Sequence, residues 1–145
     1  MISFHVILDL IMITVGGKMI SDIDTIFSML KSSNDEKKQS NGLEEARKVK
    51  QISVFFMPKG RKEIWENCAR IISEKSDAEL EIYLYDMFVW LQDMCWPGAD
   101  IIYDRLKKMT SEHKKHVFDY CLNIAKKTND KPWEESLLSF MKDQI

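Results

Sequence analysis

The chain has 145 residues, of which 45% are hydrophobic and 30% are charged, and its formal net charge is −2. This balance is typical of a globular protein with a core, and it gives no bulk electrostatic basis for binding nucleic acid or a membrane surface. Five glycines and three prolines are too few for a turn-rich β fold. The three cysteines are widely spaced without a CxxC pair. This pattern argues against a disulfide framework and predicts buried thiols in the cytoplasm.

The N-terminal segment contains an apolar run. Residues 4–15, FHVILDLIMITV, form an apolar run that is shorter than the ~20 residues needed to cross a bilayer. No Lys or Arg precedes the run and Asp9 interrupts it, which is unlike a signal peptide. Residues 16–19 read Gly-Gly-Lys-Met, whose codons can spell a bacterial ribosome-binding site and a start codon. We therefore expect a translated leader or disordered segment over residues 1–18 and a single helical domain over residues 19–145. An N-terminal strand or helix and a membrane anchor are the alternatives.

Apolar residues recur at helical spacing through most of the remaining chain. The spacing predicts a first helix over residues 21–31 and then a polar loop over residues 32–42. Asn41 and Glu44 are a candidate capping pair for a second helix, which Pro58 ends. Five more helices are predicted, over residues 61–74, 77–94, 97–109, 111–127 and 131–143.

The predicted helix starts suggest a repeat. Helix pairs open at intervals of about 35 residues, which is the length of an α-solenoid unit. Ser76 and Glu79 form a capping box at the start of one of these helices. We therefore predict an all-α, HEAT-like α-solenoid of antiparallel helix pairs, with residues 21–57 as an N-terminal cap. A compact helical bundle is the alternative.

Residues 90–100 read WLQDMCWPGAD and lie between two of the predicted helices. Trp90 continues an apolar helical stripe, and Pro97 suits the first turn of the following helix. Asp93 lies between them and can accept N–H groups of that helix or the Trp96 indole N–H. The stretch is interpreted as a tight corner between helices or as a ligand or partner site, and the two interpretations can coexist.

A long segment carries charge of one sign. From residue 76 to residue 104 the chain has no Lys or Arg and seven acidic residues, which are Asp77, Glu79, Glu81, Asp86, Asp93, Asp100 and Asp104. Glu79, Asp86 and Asp93 are spaced by seven, which predicts that they share one helix face. Like charges at helical spacing repel, so this segment indicates a field directed at a basic partner. An ordinary solvated acidic face is the alternative.

Catalytic and metal-binding patterns are weak throughout the sequence. His113 and His116 are spaced i, i+3 on a predicted helix, but no HExxH motif or third ligand accompanies them. The basic residues between 105 and 115 have few interleaved aromatics, unlike a nucleic-acid groove. We expect no enzyme, no cofactor, no metal, no small-molecule substrate and no nucleic-acid or membrane partner.

WLQDMCWPGAD also resembles the signature W-L-Q-D-M-N-W-P-x-A of a family of small, uncharacterised bacterial helical proteins. Trp90, Leu91, Gln92, Asp93, Met94, Trp96, Pro97 and Ala99 match the signature, and Cys95 departs from its Asn. The resemblance covers residues 42–140. Such proteins resemble HEAT-type α-solenoids, and some are similar to immunity proteins of contact-dependent or polymorphic toxin systems. Those immunity proteins neutralise a toxin by binding it, often through an acidic surface that covers a basic active site.

The resemblance implies a cytoplasmic, non-enzymatic immunity protein whose partner is a basic toxin domain, and a general protein-interaction scaffold is the alternative. We expect the partner surface on helices 77–94 and 97–109. Its acidic residues would be Glu79, Asp86, Asp93, Asp100 and Asp104. Its aromatic anchors would be Tyr83, Trp90 and Trp96, provided that their rings are exposed; rings that face inward would belong to the core.

Overall fold

The computed structural model describes residues 14–15, 18–19 and 22–144. A short strand pair, β1 (Thr14–Val15) antiparallel to β2 (Lys18–Met19), precedes the helices. The α-helices are α1 (Ile23–Met29), α2 (Glu36–Arg47), α3 (Trp65–Ser73), α4 (Asp77–Leu80), α5 (Leu84–Trp90), α6 (Ala99–Lys108), α7 (Lys114–Lys127) and α8 (Lys131–Asp143). Short 3₁₀-helices cover Ile52–Phe55, Lys62–Ile64 and Glu81–Tyr83. The prediction of an all-α protein is confirmed.

The leader predicted over residues 1–18 lies outside the described residues, apart from the backbone of the strand pair. Among the described residues, no helix combines the length and the apolarity that crossing a membrane requires. The chain divides into two compact units, Met1–Ile71 and Ile72–Ile145. The single helical domain over residues 19–145 stays a prediction.

In the first unit, helices α1 and α2 pack against each other. Asp22 caps α1, because its side chain accepts the Thr25 N–H at 2.8 Å. The polar loop predicted over residues 32–42 is wrong. Helix α2 begins at Glu36 in the middle of that segment, where the Asp35 side chain accepts the Lys38 N–H at 2.8 Å.

Side-chain hydrogen bonds explain why this polar segment is ordered. The Asn34 amide donates to the carbonyls of Ser28 and Met29 at 2.8 and 3.0 Å, which satisfies the C-terminal end of α1. The Gln39 amide donates to the Asn34 carbonyl at 2.7 Å. The buried Asn67 amide in turn donates to the Gln39 side-chain oxygen at 2.9 Å. The polar residues therefore bond to the tertiary structure, and Asn41 lies inside the helix instead of capping it.

In the second unit, the capping box of Ser76 and Glu79 is confirmed. The helix predicted over residues 77–94 forms, but the 3₁₀-helix Glu81–Tyr83 interrupts it and it ends at Trp90. Helices α6, α7 and α8 match their predicted ranges to within three residues at each end. Aspartate 130 caps α8 by accepting the Trp133 N–H at 3.2 Å.

Aromatic side chains form the core of the second unit. The ring centroids of Phe88 and Phe140 are 5.4 Å apart, and those of Phe88 and Phe118 are 5.8 Å apart, both in edge-to-face contact. The buried Trp133 indole N–H donates to the Phe88 carbonyl at 2.9 Å. These contacts hold α5, α7 and α8 together, and they determine which side of α5 faces solvent.

Candidate functional site

The acidic segment, residues 76–104, lies on α4, α5 and the first turns of α6 in the second unit. Asp77 has a structural role within it. Its carboxylate accepts a hydrogen bond from the Arg105 guanidinium at 2.7 Å and from the Thr110 N–H at 3.0 Å. The Thr110 N–H, followed by Arg105, lowers the pKa of Asp77 because both donors favour the ionised form. Asp77 thus joins the start of α4 to the chain just after α6.

Two acids of the predicted partner surface accept hydrogen bonds from uncharged donors. The Glu79 carboxylate accepts the N–H and O–H of Ser76 at 2.9 and 3.0 Å, and these bonds lower the pKa of Glu79. The Asp93 carboxylate accepts the Cys95 N–H at 2.8 Å. Both acids are exposed. Because their donors carry no formal charge, these hydrogen bonds add no positive charge beside either carboxylate.

The other three predicted acids differ in their surroundings. Asp86 is exposed on α5, yet the neighbouring atoms partly desolvate its carboxylate and raise its pKa. Asp100 is exposed in the first turn of α6, where the helix dipole favours a negative charge. Asp104 forms an ion pair with Lys107 at 3.3 Å. Of the five predicted acids, Asp104 is the only one with a Lys or Arg ion-pair partner in the described part of the chain.

The prediction that Glu79, Asp86 and Asp93 share one helix face is wrong. A seven-residue spacing aligns side chains only along an uninterrupted helix. Here the 3₁₀-helix Glu81–Tyr83 changes the helical phase between the first two acids, and α5 ends at Trp90 before the third.

The stretch WLQDMCWPGAD is a corner between α5 and α6. The Trp90 indole N–H donates to the Pro97 carbonyl at 3.1 Å, so the end of one helix is bonded to the start of the next. Gly98 precedes α6 with a φ of 84°, a left-handed conformation that favours glycine. Cys95 is exposed, so the prediction that all three cysteines are buried is wrong at this position.

The burial of Trp90 corrects the predicted set of aromatic anchors. The residue is 0% exposed, and it belongs to the core because its position continues the apolar stripe of α5. It therefore cannot contact a partner in this structure. Tyr83 and Trp96 are partly exposed, and both make interactions within the chain.

The structure also exposes apolar residues that the sequence analysis did not select. Ile82 is 79% exposed, Tyr85 is 44% exposed and Tyr120 is 57% exposed. The ring centroids of Tyr85 and Tyr120 are 6.1 Å apart. A signal for two of them exists in the sequence, since Ile82 and Tyr85 fall outside the apolar stripe of residues 80, 84, 87 and 91 that faces the core.

Across the described residues, no cluster of three or more His, Cys, Asp or Glu side chains that could hold a metal ion occurs. The His113 imidazole lies 3.6 Å from the Glu112 carboxylate and 3.9 Å from that of Glu81. Glu81 also accepts the Ser111 hydroxyl at 2.7 Å. These contacts connect the start of α7 to the acidic segment.

Comparison with known proteins relates the chain to a family. Neither a curated protein nor a solved structure gives a significant match. Residues 56–145 match the family model described as a domain of unknown function, DUF5071. This match covers more than half of the 145 residues and contains the entire acidic segment. The chain therefore belongs to the DUF5071 family.

Proposed function

We propose that the chain is a non-enzymatic protein-binding module, and specifically a cytoplasmic immunity protein that neutralises a basic toxin domain through its acidic segment. The proposal includes a HEAT-like arrangement of helix pairs. In support of that arrangement, α7 packs against both α5 and α8 within the second unit.

One observation carries the proposal. Within the described residues, five acids of the acidic segment have no Lys or Arg ion-pair partner, and these are Glu79, Glu81, Asp86, Asp93 and Asp100. Hydrogen bonds from N–H and O–H groups hold three of them in place without neutralising them. The result is a fixed negative field, and a field of one sign speeds association with a partner of the opposite sign.

The resemblance to immunity proteins supplies the class of partner, because a toxin that acts on an anionic substrate needs a basic surface. Covering that surface requires no chemistry from the immunity protein. It requires complementary charge and a contact area that excludes the substrate.

The test has two stages. The full chain is first used to capture partners from the encoding bacterium, and each basic candidate is then expressed in a bacterial host with and without the chain. We expect one candidate that arrests growth alone and is tolerated when the chain is present. A partner that binds but is harmless alone would overturn the immunity function and leave a general scaffold.

Charge-reversal variants then connect protection to the acidic segment. In Asp86→Lys/Asp100→Lys, association should slow by on the order of tenfold or more at low salt, and protection should fall. The matched control is Glu44→Lys/Glu66→Lys, which changes the net charge equally at two exposed acids of the first unit. Equal effects from both double variants would remove the acidic segment from the mechanism.

A further inference from the structure

An exposed apolar patch includes two residues of the acidic segment and one residue of α7. It consists of Ile82, Tyr85 and Tyr120, with exposed fractions of 79%, 44% and 57%. Tyr85 and Ile82 are one helical turn apart, and the ring of Tyr120 on α7 lies 6.1 Å from that of Tyr85 at an interplanar angle of 57°. Single exposed apolar residues are ordinary, but a contiguous group often marks a contact surface.

Two acids adjoin the residues of this patch in the sequence. Asp86 directly follows Tyr85, and Glu81 directly precedes Ile82. Asp86 is not held by a cation of the described residues, and its carboxylate is partly desolvated. Electrostatic interactions strengthen where water is partly excluded. The patch therefore combines two aromatic rings with a carboxylate that can bind a cationic group.

We propose that Ile82, Tyr85, Asp86 and Tyr120 form a receptor for an arginine side chain of a basic protein partner. This inference rests on the proposed function, since it names the partner group that the same surface takes. A guanidinium is flat and weakly hydrated, so it can stack on a tyrosine ring while its N–H groups donate to a carboxylate. A lysine ammonium has no flat face that can stack on a ring. Ile82 would pack against the apolar part of the arginine side chain.

Charge argues against a second copy of the chain as the occupant. Pairing of two such patches would bring Glu81 and Asp86 of one copy towards the same acids of the other, and like charges across an interface are unfavourable. A basic partner removes this repulsion and gains an ion pair. Charge complementarity thus selects a basic partner over self-association.

The experiment titrates the isotopically labelled full chain with three capped tripeptides of arginine, lysine or glutamine, observed by two-dimensional NMR. We expect the arginine peptide to shift the amide signals of residues 82, 85, 86 and 120. Its dissociation constant should be about tenfold lower than that of the lysine peptide, and the glutamine peptide should cause no shifts. The proposal would be overturned if the arginine peptide shifted the Asp100 signal as much as those of the patch and the lysine peptide caused shifts of the same size.

Two variants separate stacking from general charge attraction. Tyr85→Ala/Tyr120→Ala should weaken binding of the arginine peptide about tenfold, whereas Tyr85→Phe/Tyr120→Phe should retain it. The four substitutions involve exposed rings, and the spectrum of each variant reports whether it is folded. Met141→Ala is the control, because Met141 has the same 44% exposure as Tyr85 and lies outside the patch. Retention of binding in the double alanine variant would refute the stacking site.

The titration uses no toxin, so its outcome is independent of the protection assay. Arginine-peptide binding at the patch without any protected toxin would sustain the receptor and overturn the immunity function. Protection that is unchanged in the double alanine variant, together with absent peptide shifts, would overturn the receptor alone. Shifts at the patch that depend on protein concentration before peptide is added would show self-association and contradict the proposed occupant.

Discussion

The substitution Gly42→Ala in helix α2 should have two opposing effects on stability, and the typical size of each is known. Replacing a glycine in a helix interior by alanine normally stabilises by about 1 kcal/mol. Here an added Cβ would lie 2.8 Å from the Met29 Cβ and 3.1 Å from both the Met29 carbonyl carbon and the Leu30 Cδ2. Carbon atoms pack at about 3.5–4.0 Å, so the overlap is severe.

The clash should outweigh the helix propensity. The Met29 Cβ and carbonyl carbon belong to the frame of α1, so no side-chain rotation can move them away, and the two helices must separate. Overpacking of this kind costs about 1–3 kcal/mol. Because the Met29 Cβ at 2.8 Å cannot rotate away, the cost should lie in the upper part of that range, at about 2–3 kcal/mol. After the gain in propensity of about 1 kcal/mol is subtracted, we expect a net destabilisation of about 1–2 kcal/mol. For a chain of this size that corresponds to a fall in Tm of roughly 3–6 °C.

The assay is urea and thermal unfolding of the full chain followed by far-ultraviolet circular dichroism. Ser40→Ala is the matched control, since Ser40 is exposed on the same helix and its replacement should stabilise by a few tenths of a kcal/mol. If Gly42→Ala raised the midpoint as Ser40→Ala does, helix propensity would dominate. The close approach of α1 and α2 at this glycine would then be refuted.

Three further predictions test the second unit and the thiols. Trp133→Phe removes the indole N–H that donates to the Phe88 carbonyl at 2.9 Å. It should lower the free energy of unfolding, measured in urea, by about 2 kcal/mol because a hydrogen bond and buried volume are lost. A loss below about 0.5 kcal/mol would contradict that bond. Cys95 should be the one cysteine that reacts rapidly with a thiol reagent in the native chain. Burial raises the pKa of the other two thiols, and the pKa of Cys121 rises to about 12. A second rapidly reacting thiol would contradict the burial of those two cysteines. Asp77 has a lowered pKa in the folded chain, so its ionised form stabilises the fold above the unfolded pKa and this contribution is lost as the pH falls through the folded value. Asp77→Asn should therefore be less stable than the wild type at pH 7, and the difference should shrink below about pH 4; equal differences at pH 7 and at pH 2.5, measured by thermal unfolding, would contradict this role.

The helix ends that local chemistry defines were predicted well. Ser76 and Glu79 satisfy each other's backbone groups without help from the rest of the chain, and helix α8 starts after Asp130 and ends at Asp143 as the spacing indicated. The segment over residues 32–42 was predicted wrongly. Its helix depends on hydrogen bonds to residues far along the chain, such as that of Gln39 with Asn67, which no local pattern contains.

Part of the candidate site could likewise be predicted from the sequence, and part of it could not. The run of acids without a Lys or Arg is a property of the sequence, and so is the excess of charge that it creates. Which acids are engaged is decided by contacts across the chain, such as that of Asp77 with Arg105. The sequence also could not tell that Trp90 faces inward while Tyr85 and Tyr120 meet on the surface, because α5 and α7 are distant in sequence.

The sequence by itself determined the helical class of this protein, the caps of several helices and the sign of the charge on residues 76–104. These depend on spacing and on neighbouring residues, which act over one or two helical turns. The tertiary structure alone decided the phase of the helix interrupted at Glu81–Tyr83, the order of the polar segment in α2 and the pairing of the two exposed tyrosines. Each of these arises from packing between segments distant in the chain, and the free energy of such packing is set by which faces meet.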